Sequence, residues 1–248
     1  MSTPDLDYSI QYEKWHDDSD EHYDRSASFY RRLLAPVLRE LPTGSRVLDV
    51  GCGTGLLINT LIGMGFVAAR GIDISAQQIA RARARGLPCD QIAVDGLARR
   101  AEAEPGSLDV IFLLDVLEHV PVAGQIEFVR HLARLLVPGG RLVISVPNAS
   151  ASFAPRWVWN DWEHVCAFSE HSLDFVLRNA GFDAPAYLPY EFGDALVFPY
   201  LHQSAFWTRA LRRIFRGLRR LEAIAEFGRQ GLAIPLGLNL LAVARKPG

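Results

Sequence analysis

One segment of the chain has glycines and acids spaced for binding a nucleoside. Residues 47–55 read Val-Leu-Asp-Val-Gly-Cys-Gly-Thr-Gly, so an apolar strand runs directly into a glycine-dense turn. Glycine at positions 51, 53 and 55 lets backbone N–H groups approach a ligand that larger side chains would keep away. Asp73 ends a second apolar strand at the distance a βαβ unit needs, and its carboxylate can accept both hydroxyls of a ribose. We therefore expect the first half of the chain to bind a nucleoside-containing cofactor.

The negative charge beside this turn favours some nucleoside-containing cofactors over others. The glycine spacing is Gly51-x-Gly53-x-Gly55, whereas dinucleotide-binding turns read G-x-G-x-x-G. Asp49 lies where a pyrophosphate would bring its negative charge, which disfavours a phosphate-bearing cofactor. An acid next to open backbone N–H groups favours a zwitterionic ligand that carries an ammonium group.

The order and spacing of these segments resemble the class I S-adenosylmethionine-dependent methyltransferases. Residues 49–55 are similar to the first motif of that family, and the resemblance covers residues 40–150. It implies S-adenosyl-L-methionine as the cofactor, bound by the glycine turn and by the ends of the following strands. The cofactor-binding residues that it implies are Asp49, Gly51, Cys52, Gly53, Gly55, Asp73, Ile74, Asp95, Gly96, Leu114 and Asp115.

Three further segments carry the resemblance towards the middle of the chain. We predict a third strand at residues 91–94, followed by Asp95, where the family places an acid against the adenine amino group. Residues 108–115 are nearly all apolar, which is typical of a strand buried on both faces of a parallel sheet. Residues 136–148 are predicted to form a helix end, a Pro-Gly-Gly turn and a fifth strand.

The alternation of strands and helices predicts an α/β fold. We expect a Rossmann-like, seven-stranded, mostly parallel sheet with helices on both faces. Residues 1–42 are predicted to form an N-terminal helical cap and residues 43–248 the methyltransferase domain, with a helical insertion at 204–230 before the last strand. Every motif residue falls at the carboxyl end of a predicted strand, where ligands bind in open α/β sheets.

Composition limits the alternatives. The 248 residues suffice for one sizeable α/β domain, and a net charge of −2 gives no attraction towards nucleic acid. Three cysteines without disulfide or metal spacing fit a reducing compartment. The N-terminus lacks the pattern of a signal peptide, and no apolar stretch is long enough to span a membrane. We therefore expect a cytoplasmic protein.

Methyl transfer to a hydroxyl needs alignment, exclusion of water and a base. His164 is the first candidate for this base, because it lies in the loop after strand five, which overhangs the acceptor pocket in this fold. His119, just after strand four, is the second candidate. Each of these histidines could instead only stabilise its loop, and His171, in the first turn of a helix, is expected to be structural.

Asp115, Glu118 and His119 form a D-x-x-E-H segment that could converge on a cation. The segment is similar to an E-x-x-E-H pattern in ubiquinone-pathway O-methyltransferases that is associated with magnesium. The Leu-Glu-His core is also widespread in methyltransferases without a metal, so the sequence leaves the metal open.

Two segments outside the family pattern bear on the acceptor. Trp157, Trp159 and Trp162 could stack on a sugar or a flat aromatic acceptor, or could bury their loop against the sheet. The insertion alternates apolar residues with Arg209, Arg212, Arg213, Arg216, Arg219 and Arg220. A basic amphipathic helix over residues 206–221 suits an anionic membrane surface, and packing on the sheet or on a second subunit is the alternative.

The sequence thus predicts a methyltransferase acting on a small-molecule or glycan acceptor, with its oligomeric state undetermined. Our first expectation is O-methylation of a sugar hydroxyl in cell-surface polysaccharide or glycolipid biosynthesis. A quinol or phenol O-methyltransferase is the second, which the D-x-x-E-H segment would also fit. A non-catalytic cofactor-binding protein is the third, although the intact glycine turn with Asp73 and Asp95 argues against it.

Overall fold

The structure is a computed structural model that describes residues 19–152, 154–190 and 205–248. The first 18 residues of the predicted N-terminal cap and residues 191–204 therefore lie outside the described part. The same holds for the side chains of Arg209 and Arg212 in the insertion.

Seven strands form one sheet in the order β3-β2-β1-β4-β5-β7-β6. Only β7 runs antiparallel to its neighbours, which confirms the predicted mostly parallel sheet. The strands are β1 (Val47–Val50), β2 (Arg70–Asp73), β3 (Cys89–Gln91), β4 (Leu108–Leu114), β5 (Leu136–Pro147), β6 (Ala186–Leu188) and β7 (Asn239–Arg245).

Helices cover both faces of the sheet. They are α1 (Asp20–Leu33), α2 (Ala35–Leu38), α3 (Leu56–Gly63), α4 (Ala76–Ala84), α5 (Val94–Ala103), α6 (Val122–Leu135), α7 (Ala154–Val158), α8 (Glu170–Asn179) and α9 (Ala205–Phe227). One core layer holds apolar side chains of α5, α6 and α8, and the other holds those of α1 to α4. Burying β1, β4 and β5 between the two layers explains why their sequences are almost continuously apolar.

The predicted third strand is misplaced by a few residues. Strand β3 ends at Gln91, and Val94 already begins helix α5. Asp95 lies in the first turn of α5, where a carboxylate favours a helix start because it faces the positive end of the helix dipole. The apolar pair at 92–93 continues the sheet by only one hydrogen bond, from the Ile92 N–H to the Asp73 carbonyl.

The predicted Pro-Gly-Gly turn is part of strand β5. Leu136 pairs with Leu108, and the register then shifts before Arg141 pairs with Val110. Gly139 has a φ of +76°, which only glycine adopts without strain, so the segment forms an irregularity inside the strand.

Helix α9 confirms that a helix precedes the last strand, but its orientation differs from the expected one. Two of its arginines are turned towards the body of the protein, since Arg219 donates to the Ser150 carbonyl and Arg220 donates to the carbonyls of Gly231 and Ile234. Arg213 and Arg216 are exposed. The apolar side is exposed, and it comprises Trp207, Leu211, Ile214, Phe215, Leu218 and Leu221. Backbone carbonyls of Ser150, Gly231 and Ile234 thus bind two guanidinium groups that the sequence suggested were free for a surface.

Candidate active site

The glycine turn after β1 is held against β2 by its own backbone. The N–H groups of Gly51 and Cys52 both donate to the Ile72 carbonyl, at 2.8 and 3.0 Å. Gly51, Gly53 and Gly55 all have positive φ values, of 77, 52 and 82°. A Cβ on Gly51 would lie 2.3 Å from a Val116 methyl group, whereas one on Gly53 would meet nothing within 4 Å. Gly51 is therefore needed for packing, and Gly53 faces open space.

Asp73 fixes this turn from the end of β2. Its Oδ2 accepts the Gly53 N–H at 2.8 Å and its Oδ1 accepts the Ser75 N–H at 2.8 Å. The carboxylate thus orients the turn and the start of α4 before any ligand is considered. Further acceptor lone pairs remain on both oxygens for a ribose.

A cavity of about 150 Å³ lies over the turn. Asp49, Gly51, Cys52, Gly53 and Leu114, all predicted to bind the cofactor, line it together with Tyr30, Thr54, Leu56 and Leu57. Burial, and secondarily the charge of Asp73, raises the pKa of Asp49 to about 8. A buried acid with a raised pKa favours a cationic ligand, because the ligand's charge would offset the cost of ionising the carboxyl group.

Tyr30 is a lining residue that the motif analysis missed. Its helix α1 is tied to the turn by the Tyr23 hydroxyl, which donates to the Thr54 carbonyl at 2.8 Å. The amphipathic pattern of the N-terminal segment was the available signal, but it did not show which aromatic side chain would face the cofactor cavity.

Of the remaining predicted cofactor residues, three lie at the periphery. Ile74 is exposed just beyond β2, and Asp95 and Gly96 are in the first turn of α5. Asp95 is paired with Arg99 at 2.6 Å, and the guanidinium lowers its pKa. Gly55 precedes α3, where a Cβ would lie 2.7 Å from Leu87, so it serves helix packing.

Asp115 follows β4 in a strained conformation. It has a φ of +56°, the one positive value among described residues other than glycine. Its Oδ1 accepts hydrogen bonds from the Ser145 hydroxyl at 3.0 Å and from the Asn239 amide at 2.5 Å. Solvent reaches the residue, but the surrounding protein desolvates the carboxyl group enough to raise its pKa to about 6.

The two histidines predicted as bases come together. The rings of His119 and His164 make an edge-to-face contact with centroids 4.6 Å apart. His164 Nε2 is 3.9 Å from Glu118 Oε1 and 3.9 Å from Asp161 Oδ2. Burial lowers the pKa of both histidines, so both are neutral and accept a proton only weakly. Of the D-x-x-E-H segment, Glu118 and His119 join this group, while Asp115 is bonded elsewhere.

The tryptophan-rich loop carries His164 to this place. The Val165 N–H donates to the Glu118 carbonyl, and Trp157 Nε1 donates to Asn239 at 2.6 Å. Trp157 therefore anchors the loop, which is one of the two roles predicted for it. Trp159 and Trp162 remain exposed.

Tyr190 is buried beside helix α1. Burial raises the pKa of its hydroxyl, and the charges of Asp115 and Glu118 and the nearby Tyr30 raise it further. Its ring also packs against Phe29 of α1. No motif marked this residue in the sequence, since it follows a short and irregular strand.

Comparison with known proteins agrees with this geometry. A family model described as a methyltransferase domain matches residues 20–185, which is more than half of the chain. The chain belongs to this methyltransferase family. The match confirms the family that the sequence motifs predicted.

The methyltransferase is similar in sequence to individual relatives over part of their length. The chain is 34% identical over 140 residues to a ubiquinone biosynthesis O-methyltransferase of Neisseria meningitidis serogroup A, covering 54% of this chain and 53% of that protein. It is 39% identical over 109 residues to a protein of the same name from Burkholderia cenocepacia, covering 42% and 45%. The chain thus matches about half the length of these relatives.

A solved structure confirms the predicted fold of the methyltransferase. A SAM-dependent methyltransferase from Archaeoglobus fulgidus superposes with a TM-score of 0.66 at 19% identity, covering 96% of this chain and 99% of that one. Membership of the methyltransferase family agrees with S-adenosyl-L-methionine as the predicted cofactor.

Proposed function

We propose that this methyltransferase transfers the methyl group of S-adenosylmethionine to a phenolic hydroxyl of a quinol-type acceptor. The observation that carries the proposal is the histidine group at the carboxyl end of β4, where His119 and His164 lie beside Glu118. Leu114, at the same end of β4, lines the cofactor cavity. The names of the relatives, which refer to ubiquinone biosynthesis, support the quinol acceptor over the sugar.

The strength of the base favours a phenol on physical grounds. Both histidines have lowered pKa values because they are buried. A weak base is better matched to a phenol, whose pKa is about 10 as in tyrosine, than to an aliphatic hydroxyl that is much less acidic. We assign removal of the acceptor proton to this pair, with His164 as the main candidate, while the buried surroundings keep water away from the sulfonium.

A sugar hydroxyl is the second candidate acceptor. Trp159 and Trp162 are exposed on the same loop as His164, which is the arrangement that stacking on a sugar ring would use. The lowered pKa values of both histidines disfavour this candidate, because a weak base removes a proton poorly from an aliphatic hydroxyl. The names of the relatives do not support a polysaccharide pathway.

We also propose that the enzyme works at a membrane surface. Six large apolar side chains of α9 form one exposed row from Trp207 to Leu221. Such a row would enter the interface of a bilayer while Arg213 stays at the headgroups. Within the described ranges, no helix has the length and apolar character of a membrane span.

The test is a methylation assay with labelled S-adenosylmethionine and three classes of acceptor. We expect transfer to a catechol or a short-chain quinol, detected as a singly methylated product by mass spectrometry. Transfer to nucleotide-linked or lipid-linked sugars alone would overturn the phenol acceptor in favour of the sugar. Tight binding of S-adenosylhomocysteine without any transfer would favour the non-catalytic alternative.

A further inference from the structure

Glu118 is a carboxyl group without a counter-charge. The residue is 0% exposed, and within the described part of the chain neither side-chain oxygen has a hydrogen-bond partner. Burying a polar group without a partner costs free energy, and burying an unpaired carboxylate costs much more. Its closest basic group in that part of the chain is the imidazole of His164, at 3.9 Å. A bound cation would supply the counter-charge that the described residues do not provide.

The groups around Glu118 are all metal-ligating types. Ligand atoms of Glu118, His119 and His164 lie within 4.8 Å of one another, and so do those of His119, Asp161 and Glu163. Ligands of a common ion at about 2.1 Å lie roughly 3–4 Å apart, so the 3.9 Å distances around His164 Nε2 need little change. Each histidine offers a ring nitrogen to this group, and imidazole nitrogen is the commonest metal ligand in proteins.

Two different segments deliver these ligands, and each is already positioned. Glu118 and His119 lie on the 3-10 turn after β4, and the loop is fixed to that turn by the Val165 N–H bond to the Glu118 carbonyl. Asp161 is oriented by the Glu163 N–H, which bonds its Oδ1 and leaves Oδ2 towards His164. Positioned ligands with one unsatisfied carboxylate are what a cation site requires.

We propose that Glu118, His119 and His164 bind one divalent transition-metal ion, with Asp161 as the next ligand. Asp115 is not part of the set: it belongs to neither group of converging ligand atoms among the described residues, and its Oδ1 accepts hydrogen bonds from Ser145 and Asn239. Two imidazole nitrogens with carboxylate oxygens favour Mn²⁺, Fe²⁺, Co²⁺ or Zn²⁺, whereas Mg²⁺ prefers oxygen ligands only. The proposed ligand set therefore differs from the D-x-x-E-H residues that the sequence suggested.

The inference deepens the proposed function. A catalytic use of the ion would rest on that function. A bound cation would lower the pKa of the acceptor hydroxyl, a task that the neutral histidines otherwise perform as bases. Binding of the ion itself does not depend on methyl transfer and can be measured without it.

The test uses the full chain, stripped with a chelator and titrated with MnCl₂, CoCl₂, ZnCl₂ or MgCl₂. Calorimetry should give one site, with Mg²⁺ the weakest ligand, and Co²⁺ should develop a visible absorption spectrum. His164→Ala and Glu118→Gln should each weaken Co²⁺ binding by at least about tenfold. Asp115→Asn and His171→Ala are the matched controls and should leave the Co²⁺ affinity unchanged.

Two outcomes would overturn the inference: no binding of Mn²⁺, Co²⁺ or Zn²⁺ by the wild type, or loss of binding in Asp115→Asn. Circular dichroism verifies that each variant is folded, and His164→Ala carries the test if Glu118→Gln does not fold. Phenol methylation that persists in chelator would reject the catalytic use of the metal and leave the proposed function intact. Metal binding without methylation of any phenol would retain the site and reject the proposed function.

Discussion

Asp115 and Asn239, 124 residues apart in the sequence, share a side-chain hydrogen bond of 2.5 Å. Asn239 also accepts the Trp157 indole N–H, so one buried amide joins the end of β4, the start of β7 and the tryptophan-rich loop. This connection positions both Asp115 and the loop that carries His164. The last strand thus helps to build the site, although its sequence contains no motif.

The ionisation of Asp49 should make both stability and cofactor affinity depend on pH. Burial raises its pKa from 3.8 to about 8, so its contribution to folding is complete below the lower value and lost as the pH rises through the higher one. Urea unfolding between about pH 5 and 9 should show wild type losing stability relative to Asp49→Asn, by at most about 1.4 kcal/mol per pH unit. S-adenosylmethionine, which is cationic, should bind more tightly as the pH rises towards 8. An unfolding free-energy difference that stays constant with pH would contradict the prediction.

Asp73 and Asp95 should differ in their effect on cofactor binding. Asp73→Ala removes the acceptor of the Gly53 and Ser75 N–H groups as well as a ribose acceptor, and we expect an affinity loss of about 1–3 kcal/mol. Asp95 is 69% exposed and paired with Arg99, so Asp95→Ala should lose less. Calorimetry with S-adenosylhomocysteine measures both variants. Equal affinities of wild type and folded Asp73→Ala would remove Asp73 from the site.

Alanine substitutions at Gly51 and Gly53 should have different effects, because Gly51 is closely packed and Gly53 faces open space. Gly51→Ala brings a Cβ to 2.3 Å from Val116 and should lower both the melting temperature and the cofactor affinity. Gly53→Ala meets nothing within 4 Å, so its cost to stability should be only the backbone strain of about 1–2 kcal/mol. Its affinity should nevertheless fall, because the new methyl group faces the ligand. Unchanged affinity in Gly53→Ala would mean that the cofactor does not approach this backbone.

His164→Ala should keep cofactor affinity and lose about 10²–10⁴-fold in turnover with a phenolic acceptor. The exposed His171, seven residues further on, is the control, and His171→Ala should retain full turnover. His119→Ala should also be impaired, since its ring contacts that of His164. Full turnover in His164→Ala would show that the acceptor proton leaves by another route.

The local patterns predicted more of the cofactor half than of the acceptor half. The glycine turn, Asp49 and Asp73 act through neighbours on adjacent strands, so spacing along the chain was enough to bring them together. The contact between His119 and His164 depends on a loop fixed by Trp157 and Asn239, which no periodicity encodes. Asp95 shows a different limit: we predicted it to follow a strand at residues 91–94, but strand β3 ends at Gln91 and Asp95 lies in the first turn of a helix.

Helix α9 illustrates a second limit and leads to the last prediction. Periodicity showed an amphipathic helix but not which side would face the protein, and Arg219 and Arg220 are bound to backbone carbonyls. Membrane binding should therefore depend mainly on the apolar row. We expect the wild type to sediment with vesicles that contain anionic lipid, and high salt to release only part of it.

Replacing Ile214 and Leu218 together by Asp should weaken vesicle binding by at least about tenfold, because each side chain contributes roughly 1.5–3 kcal/mol when buried. Phe175→Asp, at an equally exposed apolar side chain on α8, is the control and should not change sedimentation. Cofactor affinity should be the same in all three proteins. If the wild type stays in the supernatant and the Asp variant converts a dimer to a monomer in light scattering, a second copy of the chain covers this row, and a water-soluble acceptor is favoured over a membrane-bound one.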